Sequence, residues 1–457
     1  MAPCPGRVGP GGAELLPGTA LAILAGALLL AWPAFLNGYP LVFIDTVSYL
    51  AQTIVPEMPW DKAPAYGPFL HAFHWRMTLW GSLAAQVALL SWMLWLTQRG
   101  ARGGVTPAAH LLLCAAMVAL TSLPWFAATL MPDVLSGVAA LAVFLLGCAR
   151  PRLSRIEAVA VLLVGVFAVA AHLSHLIIAA AVVALVVVLE RRVGSALRAA
   201  AAPALAILVL LGANLAGHGR AVLSPNGAIF LLARLQADGP AAATLRERCP
   251  DAGWYLCAFA DRLPMDSDEF LWDPASPVSR DADGHPRFMG SVALVPEAQA
   301  IIAATLADRP FAVLRAMAGN ALAQLALPQV GDTLPDTHLA LSARRMVRDG
   351  FPPRELAAFD AGLQMRGLLP EVAAPFLRPH LPVLIAAVPL ALLGLARGGR
   401  EQRALVLAAL VAIGANAAAT GALSKPHHRY EARIIWLLPL AAMLALAPRR
   451  GRDPGLA

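Results

Sequence analysis

The feature that most constrains this chain is a series of apolar runs, each close to the length of a membrane crossing. They fall at roughly 18–36, 77–97, 107–123, 132–149, 157–172, 174–190, 196–216, 380–396, 404–422 and 433–448. A helix crossing the hydrocarbon layer needs about 20 mostly apolar residues. Ten such runs predict an all-α polytopic membrane protein with about ten transmembrane helices and one small lumenal or periplasmic insertion. The 156–190 run is long enough for two helices, and His172-Leu173-Ser174-His175 divides it. The composition agrees. The chain is 59% hydrophobic and only 14% charged, whereas soluble domains carry about 25% charged residues. No water-soluble core could hide this much apolar surface.

Arginine placement sets an expected orientation. Short loops carry Arg99 and Arg102, Arg150, Arg152 and Arg155, Arg191, Arg192 and Arg198, and Arg397, Arg400 and Arg403, and the tail carries Arg449, Arg450 and Arg452. These alternate correctly under the positive-inside rule if both termini are cytoplasmic. The expected setting is an integral protein of a bacterial inner (cell) membrane. The same arrangement explains the net charge of +7 as orientation signal, and it argues against nucleic acid as a partner. The first run is longer than a signal-peptide core and has no clear small-residue cleavage site, so it reads as a retained first helix. Residues 5–12 read as a disordered Gly-rich leader.

Three regions follow: an N-terminal membrane module (1–216), an outer-face insertion (217–379) and C-terminal membrane helices (380–457). The insertion holds Asp251, Asp261, Asp266, Asp268, Glu269, Asp273, Asp281 and Asp283, with Trp254, Tyr255 and Trp272. Its apolar stretch 311–329 is interrupted by Arg315, Asn320 and Gln324, and reads as an interfacial helix or a further span. Cys249 and Cys257 can pair if the insertion faces an oxidising compartment.

The polar residues of interest gather on the outer side. Asp45 follows the first span inside an apolar stretch, and an acid at the membrane surface is a functional candidate unless it is only a helix cap. Tyr49 lies one helical turn on, on the same face. Lys62 and Tyr66 belong to the proline-stiffened turn Trp60–Pro68, where the alternative for Lys62 is a solvated charge. Asp133 stands at the outer mouth of the fourth span, where the helix dipole would also favour an acid. His172 and His175 sit at a helix break as cavity or core residues. They are three apart, as metal ligands can be, but no third ligand stands out and no metal or other cofactor is expected. The last outer loop, Ser424 to Arg433, carries Lys425, His427, His428, Arg429, Tyr430 and Arg433. Such a basic outer loop points to an anion such as a phosphate, or to a headgroup-anchoring belt. Carboxylates and cations converging on one outer cavity suit glycosyl transfer: a carboxylate takes the acceptor proton and cations stabilise a departing phosphate.

Asp45-x-x-x-Tyr49 after the first span, followed by Lys62-Ala63-Pro64-Ala65-Tyr66, resembles the first-loop pattern of GT-C fold glycosyltransferases of the aminoarabinose-transferase and protein O-mannosyltransferase type. Thr46 stands where that family carries a second acid, and Ala65 where it carries a second proline. The resemblance implies that Asp45 and Asp133 are the catalytic or acceptor-positioning acids and that Lys62 contacts the lipid phosphate. Lys425, Arg429 and Arg433 join Lys62 by role, and Tyr49, Tyr66, His172, His175, His428 and Tyr430 would line the cavity. The implied partners are a polyprenyl-phosphate-linked sugar donor, a lipid or glycan acceptor, and membrane lipids. Two other readings compete. One is a transporter or flippase for an anionic lipid. The other is an O-antigen-type ligase working through His427, His428 and Arg429.

Overall fold

A computed structural model describes residues 17–55 and 57–449. The Gly-rich leader and the end of the basic tail lie outside the described residues. The described chain is helical, with no β-strand and two isolated bridges. Five helices are long and apolar enough to cross a membrane: Trp80–Arg102, Leu173–Glu190, Val193–His218, Leu369–Arg397 and Arg400–Leu423. The remaining expected spans fall on shorter helices: Pro17–Leu30, Pro107–Leu120, Leu135–Gly147, Arg155–Ala170 and Leu437–Leu446. Apolar side chains on these helices, such as Leu112, Ile156, Leu208 and Ile385, face outward and exposed. That distribution suits a lipid solvent, because soluble proteins rarely expose large contiguous apolar patches.

Several helix starts follow from local chemistry. Ser154 accepts a bond from the Glu157 backbone N–H while the Glu157 carboxylate accepts from the Ser154 N–H. This capping box satisfies two otherwise orphaned donors. Thr106 caps the helix whose first residue is Pro107, where a missing N–H costs nothing.

The charged loops gather at one end of the bundle. Arg99 pairs with Glu157 at 2.6 Å, and Arg400 with Glu190 at 2.7 Å. Arg102 donates to the Pro448 carbonyl and Arg449 to Gln402. Helix Leu173–Glu190 measures the distance to the opposite end. Glu190 belongs to this basic end, while Ser174, at the other terminus, bonds Arg433 at 2.8 Å. Eighteen residues at 1.5 Å each give about 27 Å, close to the hydrocarbon thickness.

The 217–379 segment divides into two parts. Residues between Ile229 and Val313 close around their own apolar core, which includes Leu232, Leu245, Phe270 and Ile301. Cys249 and Cys257 form a disulfide in this part. Residues from Leu334 to Ala373 instead join the main core. Helix Pro310–Leu325 links the two, lying along Arg400–Leu423. The backbone of Asn320 sits where a Cβ on Gly421 would be, so glycine permits the close crossing.

The late part of this segment clamps the stretch that follows the first helices, from Asn37 to Leu79. The Glu355 carboxylate accepts from the Tyr39 hydroxyl at 2.7 Å, the Leu79 N–H at 2.9 Å and the Thr78 hydroxyl at 3.0 Å. The Gln364 side chain pairs with both the N–H and the carbonyl of Val42. These bonds satisfy an irregular backbone that would otherwise carry unpaired buried groups.

Candidate functional site

Asp45 and Asp133 are brought together by backbone. The Leu41 N–H donates to the Ala128 carbonyl at 3.1 Å, and the Leu130 N–H donates back to Leu41 at 2.8 Å. The Thr46 hydroxyl donates to the Leu130 carbonyl and accepts from the Phe43 N–H. Thr46 therefore stitches the two acid-bearing segments.

Asp45 precedes helix Thr46–Ile54, but its side chain makes no capping bond. Its oxygens go elsewhere: Oδ1 to Lys62 Nζ at 2.9 Å and Oδ2 to Arg429 Nη1 at 3.2 Å. Lys62 also pairs with Asp61 at 3.2 Å. Arg429 continues to Asp133, with Nη2 at 2.9 Å from Oδ2 and Nε at 3.2 Å. Arg433 then reaches Asp133 Oδ1 at 3.2 Å. One chain of alternating charge, Asp61, Lys62, Asp45, Arg429, Asp133 and Arg433, thus runs from the loop surface into the bundle.

Accessibility separates the two acids. The Asp45 side chain is 30% exposed and that of Lys62 16%, whereas Asp133 is 3% and Arg433 0% exposed. The Arg433 guanidinium is engaged inside the protein, donating to Asp133, to Asn416 at 2.9 Å and to Ser174. Its position is fixed by Trp436, whose indole N–H donates to the Arg433 carbonyl and whose ring fills the space above Gly137. Arg429 stacks on Phe43 at 4.3 Å and receives further support from Asp332, which accepts its backbone N–H at 2.7 Å.

Electrostatics follow from this geometry. Burial by itself would raise the Asp45 carboxyl, but the charges of Lys62 and Arg429 outweigh it and hold the group down at about 2. Burial opposes the charge on Lys62, yet Asp45 and Asp61 reverse the effect and hold its ammonium above the usual range. Arg429 is likewise pushed up against burial by Asp133 and Asp45. Asp332 behaves oppositely: burial raises its carboxyl despite the bond from Arg429. In the resting network Asp45 is an anion with little appetite for a proton.

The other expected residues occupy distinct places. Tyr49 and Tyr66 are buried behind Asp45 in an edge-to-face pair at 5.1 Å, and the Tyr66 hydroxyl donates to Gln86 at 2.6 Å. His172 bonds Ser174, one residue from the Arg433 contact, and His175 bonds the Ala168 carbonyl. Tyr430 lies beside both arginines, 5.7 and 5.3 Å from their guanidinium carbons. Lys425 is drawn away to Asp266 at 2.8 Å and Asp268 at 3.0 Å, and His427 leans on Asp268. His428 accepts from the Gln329 N–H. Neither Lys425 nor His428 joins the Asp45 network.

Sequence reasoning missed Asp332, Asn416, Ser174 and Phe43 as network members. Asn416, buried within the apolar helix Arg400–Leu423, carried a signal, since polar residues inside spans are costly. Asp332 carried none. Among the described residues, Asp281, Asp283 and His285 bring possible metal-ligand atoms within 4.8 Å of one another, and none of them bonds a member of the network. Asp281 Oδ1 already accepts the backbone N–H groups of Asp283 and His285.

No protein-family model, no curated protein and no solved structure matches the chain.

Proposed function

We propose that this chain is a membrane glycosyltransferase of the GT-C kind, moving a sugar from a polyprenyl-phosphate donor to an acceptor on the outer face of a bacterial inner membrane. In this reading about ten helices cross the bilayer, and the arginine-rich end and both termini are cytoplasmic. The observation that carries the proposal is Asp45: an accessible carboxylate held by a cation on each side, at the end of the bundle opposite the basic loops. The disulfide between Cys249 and Cys257 supports an oxidising compartment for that end.

Asp45 is the base, and Lys62 is the donor-phosphate ligand. A carboxyl at about 2 is a weak base while both cations sit on it, since general bases work best near the operating pH. When the donor phosphate draws Lys62 away, the carboxyl rises. Asp45 then takes the acceptor hydroxyl proton, the oxygen bonds the anomeric carbon, and the bond from that carbon to the phosphate oxygen breaks. The phosphate leaves on the lipid, with its charge met by Lys62. Arg429 holds Asp45 in place, and Asp133 with Arg433 holds Arg429. Lys425 has no part in this scheme. The ligase alternative rests on His427 and His428, which face Asp268 and Gln329 instead.

The test is transfer by purified protein in vesicles supplied with polyprenyl-phosphate sugars. Asp45→Asn should abolish transfer from the accepted donor. Undiminished transfer by this variant would remove Asp45 as the base, and no transfer by the unmodified chain from any of these donors would remove the proposal.

A further inference from the structure

A cavity adjoins the Asp45 network at Asp61. It lies between the first outer loop and the insertion's own core, and its volume is about 510 Å³, within the range of small-molecule sites. Trp60 forms part of one wall, its ring resting on His218 at 4.2 Å. Trp272, 57% exposed and braced edge-on by Phe230 at 6.0 Å, lies on the insertion side. Two indoles on the walls of a polar cavity offer flat apolar faces with wet surroundings.

The polar lining is equally specific. Asn226 is 4% exposed, and its carboxamide Oδ1 has no hydrogen-bond partner in the protein. A buried acceptor left unpaired costs about 1–3 kcal/mol, and rotation of the carboxamide toward the cavity would let a ligand donor pair with it. Glu57, Asp61 and Ser48 add three more oxygen-bearing side chains. Asp61 is the outer member of the charge chain, and Ser48 lies one helical turn from Asp45. The cavity thus shares Asp61 with the charge chain that holds Asp45.

We infer that this cavity binds a neutral or amino-bearing oligosaccharide and is the acceptor subsite. The chemistry matches: sugar rings present C–H faces to aromatic rings and hydroxyl donors to carboxylates and carboxamides. The lining carries Glu57 and Asp61 against one guanidinium, Arg287, which is occupied by the Tyr255 ring and the Pro277 carbonyl, a balance that disfavours acidic sugars and phosphates. The subsite assignment rests on the transferase reading; the oligosaccharide binding does not.

The experiment uses the full chain in nanodiscs, labelled and applied to a printed array of neutral, amino-bearing and acidic oligosaccharides. Affinity for the best glycan is then measured by thermophoresis. Binding of neutral or amino-bearing glycans is expected, weakened about tenfold by Trp272→Ala, the loss of one stacking face. Trp272 is a surface residue, so the variant should fold, and Asn226→Ala provides an independent probe with loss in the same direction. Asp349→Asn, outside both the cavity and the charge chain, should leave glycan binding within about twofold. Binding of acidic glycans alone, binding indifferent to both cavity variants, or no binding above empty nanodiscs would each overturn the inference. If glycan binding holds while the unmodified chain transfers no sugar from any polyprenyl-phosphate donor, the transferase reading fails and the binding site stands.

Discussion

Asp45→Asn and Asp133→Asn remove the same charge from the same network, yet their effects on stability should differ sharply. Asp133 is buried and receives bonds from two arginines. Without it, the Arg429 guanidinium retains Asp45, but Arg433 retains only the neutral oxygens of Asn416 and Ser174. Removing one partner of a buried ion pair costs about 3–5 kcal/mol, because the remaining charge stays desolvated. Asp45 is 30% exposed, and its loss leaves Lys62 on Asp61 and Arg429 on Asp133. Water screens what remains, so the cost should stay near the 0–1 kcal/mol of surface pairs. The assay is denaturant unfolding of each variant in mixed micelles, followed by intrinsic fluorescence. Arg433→Met in the Asp133→Asn background should recover part of the loss, since it deletes the stranded charge. Equal destabilisation by the two single variants, or a cost below about 1 kcal/mol for Asp133→Asn, would refute the claim that burial separates a supporting acid from an accessible one.

Other outcomes are expected. The Asp45 carboxyl is depressed in the folded protein, so its ion pairs contribute stability above its ordinary value of 3.8 and lose it as pH falls through about 2. Lys62→Met should move that loss toward higher pH in acid-unfolding curves, and should raise the donor KM in the transfer assay. Gly137→Ala drives a methyl into the Trp436 ring and should cost about 1–3 kcal/mol through overpacking, measured by the same unfolding assay. For topology, Phe288→Cys, at an exposed position of the insertion, should react with a membrane-impermeant maleimide in intact cells. Arg192→Cys, in the basic loop, should react only after permeabilisation. Cys249 and Cys257 should be blocked to maleimide until reductant is added.

What the sequence determined by itself is the part that rests on local chemistry. The helices, the capping box at Ser154, the segregation of arginine into one set of loops and the costly acid at Asp45 are visible because periodicity, caps and desolvation penalties act over a few residues. The resemblance of the segment Asp45 to Tyr66 to a known first loop directed attention to acids that the folded chain brings into one network. Only the tertiary structure decided how they are used. Arg429 meets Asp45 across 384 positions of chain and Asp133 across 296, and nothing in the spacing of the last loop distinguishes it from Lys425, which turns to Asp266 instead. The loop clamp made by Glu355 and Gln364, the division of the insertion into two packing units, and the cavity between Trp60 and Trp272 are likewise products of packing. A cation's partner depends on which carboxylates the folded backbone brings within about 4 Å and on how much water remains between them. Neither quantity is encoded in the residues flanking it.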